Sequence, residues 1–298
     1  MMEPAGRHAF ASLDQLTCLD LYLWQGQESV VADSLGISQS SVSRKISKTL
    51  ELFDLTIERS QAEHELSGTG ELLQAEREVH QLARFKGFAP LRFDAAYSCG
   101  PWFASVLPTN WISGPFSILG VERPLSLLRD RVVDAWIGAY QPDLPGPDDP
   151  EFCVVDLLRE TVFLLASPTH PLAGEGCLSA GDLEHFPSMA LPTGMLPKTE
   201  ERLRRQGLWN EPMRTSRYDP ASWEGACEDG VTMTFGHCLT EVLQPGTVRL
   251  DWDLSHISGD ALVVRRDLFN QAEIQRLLAE LKSHARVMAS AFDAVDLA

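Results

Sequence analysis

The stretch Ser29–Leu50, SVVADSLGISQSSVSRKISKTL, reads as two helices joined by a tight turn. Gly36 should end the first helix, because glycine readily adopts the left-handed conformation found at helix ends. Ser38 can cap the second helix through its hydroxyl group. The first helix carries the apolar residues Val30, Val31, Ala32 and Leu35. In the second, Val42, Ile46 and Leu50 recur every four residues, which predicts a stripe that faces a core.

The other face of the second helix is polar and carries cations, without an acidic residue between Ser38 and Leu50. Short hydrogen-bonding side chains beside positive charges suit a helix that lies in the major groove of DNA. The alternative is an ordinary amphipathic helix with a solvated face. The DNA-binding prediction rests on Gln39, Ser40, Ser43, Arg44 and Lys48.

Two further elements of the amino-terminal region flank this pair. Residues 12–25 predict a first helix, with Ser12 as its cap and Leu13, Leu16, Leu19 and Leu23 on its inner side. Residues 54–66, DLTIERSQAEHEL, form either a short β-hairpin or a plain loop, since their composition favours strand only weakly.

Residues 68–86 predict one long amphipathic helix that ends before Gly87 and Pro90. Its apolar stripe needs a partner, which is either the rest of its own domain or the same helix of a second subunit. The stripe contains Leu72, Leu73, Val79, Leu82 and Phe85, and four of these, Leu72, Val79, Leu82 and Phe85, are the predicted dimerisation residues.

From Leu91 onward, predicted strands alternate with predicted helices. Strands are expected at 91–97, 116–121, 134–140, 154–167, 188–194, 213–219, 232–236 and 260–266, and the last helix at 270–292. Such alternation indicates an α/β fold with a mostly parallel sheet and enough chain for two lobes.

Composition sets the class of protein. The chain has 298 residues, 44% of them hydrophobic, and a formal net charge of −17, so a nucleic-acid-binding surface must concentrate its cations locally. The amino terminus lacks an apolar signal core, which predicts a cytoplasmic protein. Six cysteines without CxxC spacing predict core thiols rather than a disulfide framework.

The motifs in this order resemble those of LysR-type transcriptional regulators over nearly the whole chain. Their amino-terminal signature is matched by Ala32, Leu35, Ser38, Gln39, Val42, Ser43 and Ile46, and their L-T-x-x-G segment by residues 66–70. The segments LLRDRVVDAWIG and ETVFLLASPTHPLAG resemble two later motifs. The hairpin region differs, since Glu63 and Glu65 stand where the family commonly has basic residues, and the segment between Gly100 and Asp134 is shorter than usual.

The resemblance implies a pocket for an effector between two lobes. The turn YSCGPW at 97–102 fits such a site, because Ser98, Cys99 and the following N–H groups lie at a helix start and Trp102 supplies an apolar wall. These residues predict a small carboxylate as effector; the alternative is that Tyr97 and Trp102 are core and Ser98 only caps the helix. Thr193, Tyr218 and Thr234 are candidates placed by the resemblance alone.

Enzyme chemistry finds little support in the sequence. There is no G-x-S-x-G elbow, P-loop or G-x-G-x-x-G motif. His237, Cys238 and Cys227 are poorly spaced for zinc, so we expect neither a metal nor a cofactor. Cys227 and Cys238 either pair with each other or fill the core.

These observations predict a homo-oligomeric regulator that binds double-stranded DNA and a small-molecule effector. Its predicted parts are a winged helix-turn-helix at 1–67, a linker and dimerisation helix at 68–88, and a two-lobed effector-binding domain at 89–298. Lobe I is expected at about 89–162 and 266–298, and lobe II at about 163–265. The alternative function is a ligand-sensing relative that acts through protein contacts.

Overall fold

The computed structural model of the protein describes residues 10–60, 63–68, 70–139, 142–215, 217–223, 225–238, 246–292 and 295–297. These residues fall into two compact units. The first contains the described residues up to Phe93, together with 110–115 and 126–134, and the second contains the remainder. The predicted domain boundaries at 67 and 88 do not coincide with this division and stay a prediction.

The first unit opens with three helices, a hairpin and a fourth helix. These are α1 (Leu13–Gln25), α2 (Glu28–Leu35), α3 (Gln39–Phe53), β1 (Thr56–Ser60), β2 (Glu63–Ser67) and α4 (Glu71–Phe85). The first unit also contains the start of β3 (Leu91–Ala95), which pairs in parallel with β4 (Trp111–Ser113). The hairpin is antiparallel, so the loop alternative for this region is excluded.

Local signals define the ends of these helices as the sequence predicts. The Ser12 hydroxyl accepts from the N–H of Gln15 and forms a capping box with it. Gly36 ends α2 with φ of +64°, and the Ser38 hydroxyl caps α3 by accepting from the N–H of Ser41 at 3.2 Å. Each of these contacts spans only a few residues, which is why they can be read from the sequence.

The core of the helical region contains most of the predicted apolar positions. Leu16, Leu19, Val31, Val42 and Ile46 are buried. Leu13, predicted on the inner side of the first helix, is 39% exposed because it is the first residue of α1 and precedes the first buried residue of that helix, Leu16. The apolar residues Val30 and Leu35 are 39% and 37% exposed, since α2 buries only Val31 and Ala32.

The second unit contains short strands and helices. They are α5 (Gly100–Ala104), α6 (Glu122–Arg129), β5 (Ala135–Gly138), β6 (Phe152–Asp156), β7 (Leu158–Thr161), β8 (Phe163–Ala166), α7 (Ala180–Leu183), β9 (Met189–Ala190), α8 (Pro197–Arg204), β10 (Glu211–Pro212), α9 (Pro220–Trp223), β11 (Thr234–Gly236), β12 (Val248–Arg249), β13 (Ile257–Ser258), β14 (Ala261–Arg265), α10 (Ala272–Ala291) and β15 (Val295–Leu297). The chain passes between the units within β3 and within α6. The α/β fold class is as predicted.

Strand direction differs from the expectation. Strand β14 lies between β5 and β6 and is antiparallel to both. Strand β8 likewise pairs antiparallel with β11 and β12, and β7 with β13 and β15. Most of the described strand pairs are therefore antiparallel. Strand β14, for example, runs in the opposite direction to β5 and β6, which precede it in the sequence.

Two predicted strands are absent from the described residues. The stretch 116–121 makes only an isolated bridge from Ile118 to Arg217, and the described part of 213–219 makes no other. Phe116 and Gly120 have φ of +51° and +75°, which interrupts extended backbone. Within the described residues no helix is long and apolar enough to cross a membrane.

Candidate functional site

Helix α3 packs its apolar face into the core and exposes its polar face to solvent. Val42 and Ile46 are buried, whereas the predicted DNA-contacting residues Gln39, Ser40, Arg44 and Lys48 are exposed and Ser43 is partly buried. The Arg44 guanidinium donates to the Ser40 carbonyl at 3.2 Å and to the Ser41 hydroxyl at 3.3 Å. These contacts hold the Arg44 side chain along the first turn of α3.

The hairpin beside α3 is the predicted wing. Its register places Glu58 opposite Glu65 and Arg59 opposite His64. Like charges directly opposite each other on a strand pair repel. The wing therefore presents one exposed cation, Arg59, beside an acidic pair.

Helix α4 buries a polar face. Glu76, Arg77, Gln81 and Arg84 are all less than a tenth exposed. Arg77 Nε donates to Asp20 of α1 at 2.9 Å, and the same carboxylate accepts from Arg92 at 3.2 Å. Glu76 accepts from the N–H of Ala11 at 3.0 Å, so α4 is fastened to the helical region at two points.

A second buried group lies towards the end of α4. Arg84 donates two hydrogen bonds of 2.8 Å to the Asp134 carboxylate, and Gln81 donates a third at 2.9 Å. The pKa of Arg84 is raised: burial lowers it, but the charge of Asp134 and its hydrogen bonds outweigh burial. Burial and the neighbouring Arg84 lower the pKa of Arg92 to about 10, against the opposing effect of Asp20. All of these groups belong to the first unit.

The apolar face of α4 points away from this network. Leu72 is 48% exposed, Val79 64% and Leu82 45%, while Phe85 is partly buried and Leu73 is fully buried. The helix thus has the reverse of the usual arrangement, with charges inside and aliphatic side chains outside. Of the predicted stripe, only Leu73 joins the core of its own unit.

The second unit contains a partly open cavity of about 90 Å³. Four aromatic side chains contribute to its lining: Tyr97, Trp209, Trp223 and Phe235. Its polar lining consists of the Ser98, Thr199 and Ser258 hydroxyls and the His237 and His256 rings. Aliphatic residues such as Leu191, Leu196 and Leu203 complete it, and among the described residues no Lys or Arg lines it.

His256 and Trp223 each bring a buried nitrogen without a hydrogen-bond partner among the described residues to the lining. His256 is 4% exposed, and the nitrogen that it brings is Nδ1. Burial, followed by the charge of Arg202, lowers the pKa of His256 to about 4 despite the opposing charge of Asp143. The ring is therefore neutral near pH 7, and a neutral imidazole offers one acceptor nitrogen.

Two buried carboxyl groups lie behind the cavity wall. Glu160 contacts Nδ1 of His237, a lining residue, and pairs in register with Ser258, another lining residue. The pKa of Asp260 is raised well above its usual value by burial and then by the charge of Glu160, with the Cys99 thiol acting in the opposite sense. Burial, followed by Asp260, raises the pKa of Cys99 in turn.

The predicted effector residues take different positions around this cavity. Ser98 lines it, and Cys99 is buried beside Asp260. Tyr218 stacks on Tyr97 with ring centroids 4.0 Å apart and an interplanar angle of 10°. Ser98 is not the cap of α5, because that position is taken by Cys99, which makes no side-chain capping bond.

Like Cys99 and Tyr218, the other three predicted residues do not line the cavity. Trp102 packs edge-on against Phe292 at 5.8 Å, so it contributes to packing there. Thr193 is exposed, and Thr234 is fully buried within β11 with a hydroxyl that lacks a partner among the described residues. Among those residues no cluster of His, Cys, Asp and Glu is arranged to hold a metal ion.

Sequence reasoning missed the imidazoles and the buried acids. A lone carboxylate inside the apolar run at Glu160, and another directly before the strand ALVV at Asp260, were the available signals. Charged residues are almost never fully buried without a partner, so an acid at a position expected to be buried deserves a functional interpretation.

The comparisons with known proteins agree on one family. The model described as LysR substrate binding domain matches residues 116–286. A probable nitrogen assimilation transcriptional activator of Synechococcus elongatus is 28% identical over 216 residues, covering 66% of this chain and 69% of that protein.

Solved structures are similar in fold over nearly the whole chain. A full-length OxyR variant from Pseudomonas aeruginosa has a TM-score of 0.55 at 17% identity, covering 94% of this chain and 96% of the other. A Corynebacterium glutamicum OxyR mutant has a TM-score of 0.53 at 18% identity, covering 96% of each chain. Full-length CbnR in complex with its target DNA has a TM-score of 0.53 at 14% identity, covering 92% of this chain and 100% of the other.

Proposed function

The chain belongs to the LysR family, and from this premise we propose that it is a DNA-binding transcriptional regulator that responds to a small-molecule effector. We place it in the cytoplasm, as a homo-oligomer without an enzymatic activity of its own. In this proposal residues 1–67 bind DNA, 68–88 form the linker helix and 89–298 bind the effector. The relatives named as a transcriptional activator and as a complex with target DNA support this assignment.

The observation that carries DNA binding is the solvent-facing surface of α3. Gln39, Ser40, Ser43, Arg44 and Lys48 are displayed by a helix whose opposite face is held in the core. Amide and hydroxyl groups suit base edges, and the two cations suit phosphates or guanine. The contacts of Arg44 with its own helix are exposed, so DNA can replace them at little cost.

The test of this surface is binding of the full-length protein to a DNA fragment selected from its source genome. Arg44→Ala should weaken binding by about 1–3 kcal/mol if the guanidinium reads a base. Arg286→Ala, an exposed arginine on α10, is the control and should leave binding unchanged. Equal affinity of Arg44→Ala and wild type would contradict the role of α3.

Homo-oligomer formation is proposed from the exposed apolar face of α4. The polar face of this helix is already occupied by Asp20, Asp134 and Ala11, so Leu72, Val79, Leu82 and Phe85 are the side chains left for another subunit. A dimer places two reading helices on half-sites about one helical turn of DNA apart.

This arrangement is tested by charge insertion on two equally exposed valines. Val79→Asp should reduce the molecular mass measured by light scattering and reduce operator binding with it, because a buried carboxylate opposes the apolar contact. Val287→Asp on α10 is the matched control, since Val79 is 64% and Val287 61% exposed. An unchanged mass for Val79→Asp would exclude α4 as the subunit contact.

The acidic wing favours a second candidate function, ligand sensing through protein contacts. The Glu58 and Glu65 pair would repel phosphates where a wing contacts the DNA backbone. Measurement at low and physiological salt separates the two functions. Loss of all DNA binding even at low salt would favour the protein-contact alternative.

A further inference from the structure

The cavity of the second unit points to the class of ligand that this protein recognises. The inference rests on the proposed function in taking this cavity as the effector site. Its lining is built from aromatic rings, aliphatic side chains, hydroxyl groups and imidazoles. With roughly 10–15 Å³ needed for each water molecule, about 90 Å³ has room for about six to nine waters or a ligand of similar size.

The first argument about the ligand concerns the hydrogen bonds that the cavity lining can form. The buried Nδ1 of His256 lacks a partner among the described residues, and a buried polar atom in that state costs free energy until something bonds to it. Because the ring is neutral, this nitrogen can accept a hydrogen bond. In the tautomer that carries its proton on Nε2, Nδ1 is the acceptor, and the ligand that completes the site then carries an N–H or O–H donor.

The second argument concerns the buried carboxyl groups near the cavity. Glu160 and Asp260 are 2% and 1% exposed, and their carboxyl groups lie behind the cavity wall formed by His237 and Ser258. Among the described residues, the groups that govern the Asp260 carboxyl are Glu160 and Cys99, neither of which is a cation. Because the raised pKa of Asp260 keeps a proton on that carboxyl, the negative charge of the pair is that of Glu160, and it gives this end of the cavity a negative potential that attracts a cation and repels a carboxylate.

The aromatic rings of the lining also favour a positively charged ligand. The faces of Tyr97, Trp209, Trp223 and Phe235 carry negative charge density, which stabilises a cation placed over them. A carboxylate would meet both the ring faces and the charge of Glu160. The charge of Arg202 acts on His256, but Arg202 is exposed, donates to the Ser255 carbonyl and does not line the cavity, so a buried anion would lack a direct positive partner, which is costly. The protein's net charge of −17 favours approach of a cation as well.

We propose that this cavity binds a small organic ammonium ion, whose N–H group donates to His256 and whose positive charge is stabilised by the buried Glu160 carboxylate and by the aromatic rings. This class differs from the small carboxylate that the sequence predicts. The difference arises because Trp102 and the start of α5 contribute little to the cavity. Its electrostatic potential comes instead from the buried acid Glu160, which lies far from Trp102 in the sequence.

The experiment compares three probes of nearly the same shape on the full-length protein: benzylamine, benzyl alcohol and benzoate. Binding is measured by calorimetry and by quenching of tryptophan fluorescence, since Trp209 and Trp223 line the cavity. Benzylamine, protonated at pH 7.0 or so, should bind about tenfold more tightly than benzyl alcohol, and benzoate should bind most weakly.

Isosteric variants assign that preference to the Glu160 carboxylate. In Glu160→Gln the advantage of benzylamine over benzyl alcohol should fall to about twofold or less, with the affinity for the alcohol retained, whereas Asp260→Asn replaces a protonated carboxyl and should keep most of the preference. Glu280→Gln, an exposed acid on α10, should keep the wild-type preference. The ranking of the three probes in wild type tests the proposal even where a variant does not fold.

The outcomes separate the ligand class from the site itself. If benzyl alcohol binds but benzylamine binds no better, or benzoate binds as tightly, the ammonium proposal is overturned and the cavity remains the effector site. The same proposal is overturned if Glu160→Gln keeps the full preference. If none of the three probes binds or changes the fluorescence, the cavity is not the effector site and both proposals fall.

Discussion

Buried charges occur in two regions of this protein, and they are satisfied in different ways. In the first unit the two most deeply buried acids have basic partners: Asp20 is paired with Arg77 and Arg92, and Asp134 with Arg84. In the second unit Glu160 and Asp260 are buried next to each other, with a histidine and a thiol as their neighbours. The first group is neutralised by its own cations on folding, whereas the raised pKa of Asp260 means that the second group keeps a proton.

The largest expected effect comes from breaking a completed pair. Asp134→Asn keeps the shape of the side chain but leaves Arg84 buried without its counter-charge, which should destabilise the first unit by about 3–5 kcal/mol. Chemical denaturation followed by helix signal measures the change. If the free energy of unfolding fell by less than about 1 kcal/mol, water would have to reach Arg84, and the Arg84–Asp134 pair would not be shielded from solvent.

Replacing Asp260, which is buried beside Glu160, should increase the stability of the protein rather than decrease it. Asp260→Asn is expected to raise stability by on the order of 1–2 kcal/mol at pH 8, because the neutral amide avoids a buried charge. The pKa of Asp260 is raised in the folded protein, so the folded state holds a proton that the unfolded chain releases. Stability of the wild type therefore falls as pH rises above the usual aspartate range, and the variant escapes that loss.

The pH dependence makes this prediction specific. The advantage of Asp260→Asn should be small at pH 4 and should grow as pH increases, as judged from melting temperatures across that range. Glu280→Gln should show a constant difference from wild type. A variant that is less stable than wild type at pH 8 would show that the Asp260 carboxylate is compensated in the folded protein.

The smallest effect is expected where a charge pair is open to solvent. Lys45 contacts Asp14 at 3.3 Å, but the Asp14 side chain is 77% exposed. Asp14→Asn should therefore change stability by less than about 0.5 kcal/mol. The thermal melt that serves for Asp134→Asn measures it, and a loss above about 1 kcal/mol would show that burial is not what separates the two pairs.

The sequence predicted the helical region well because its signals are local. The caps at Ser12 and Ser38, the left-handed Gly36 and the four-residue recurrence of Val42 and Ile46 all act within one or two helical turns. The α/β alternation after residue 91 was recognisable for the same reason. Strand direction was not, since pairing partners such as β14 and β5 are far apart in the chain.

The candidate site was predicted only in part. Ser98 was recognised from a helix start, and it lines the cavity although it does not cap α5. Trp102 was assigned to the cavity because of its position in the turn, yet Phe292 of a distant segment takes up its ring. The contribution of His256 depends on burial among residues from several elements, which no local pattern reports.

What the sequence by itself determined, then, is the set of elements and the surface of α3, because helix caps, turns and periodicity depend on near neighbours. Only the tertiary structure decided which face of α4 is buried, since Arg77 and Arg84 face inward only where Asp20 and Asp134 meet them. It also decided that Glu160 and Asp260 share one low-dielectric region behind the cavity. Charge energies depend on distance and burial in space, and spacing along the chain specifies neither.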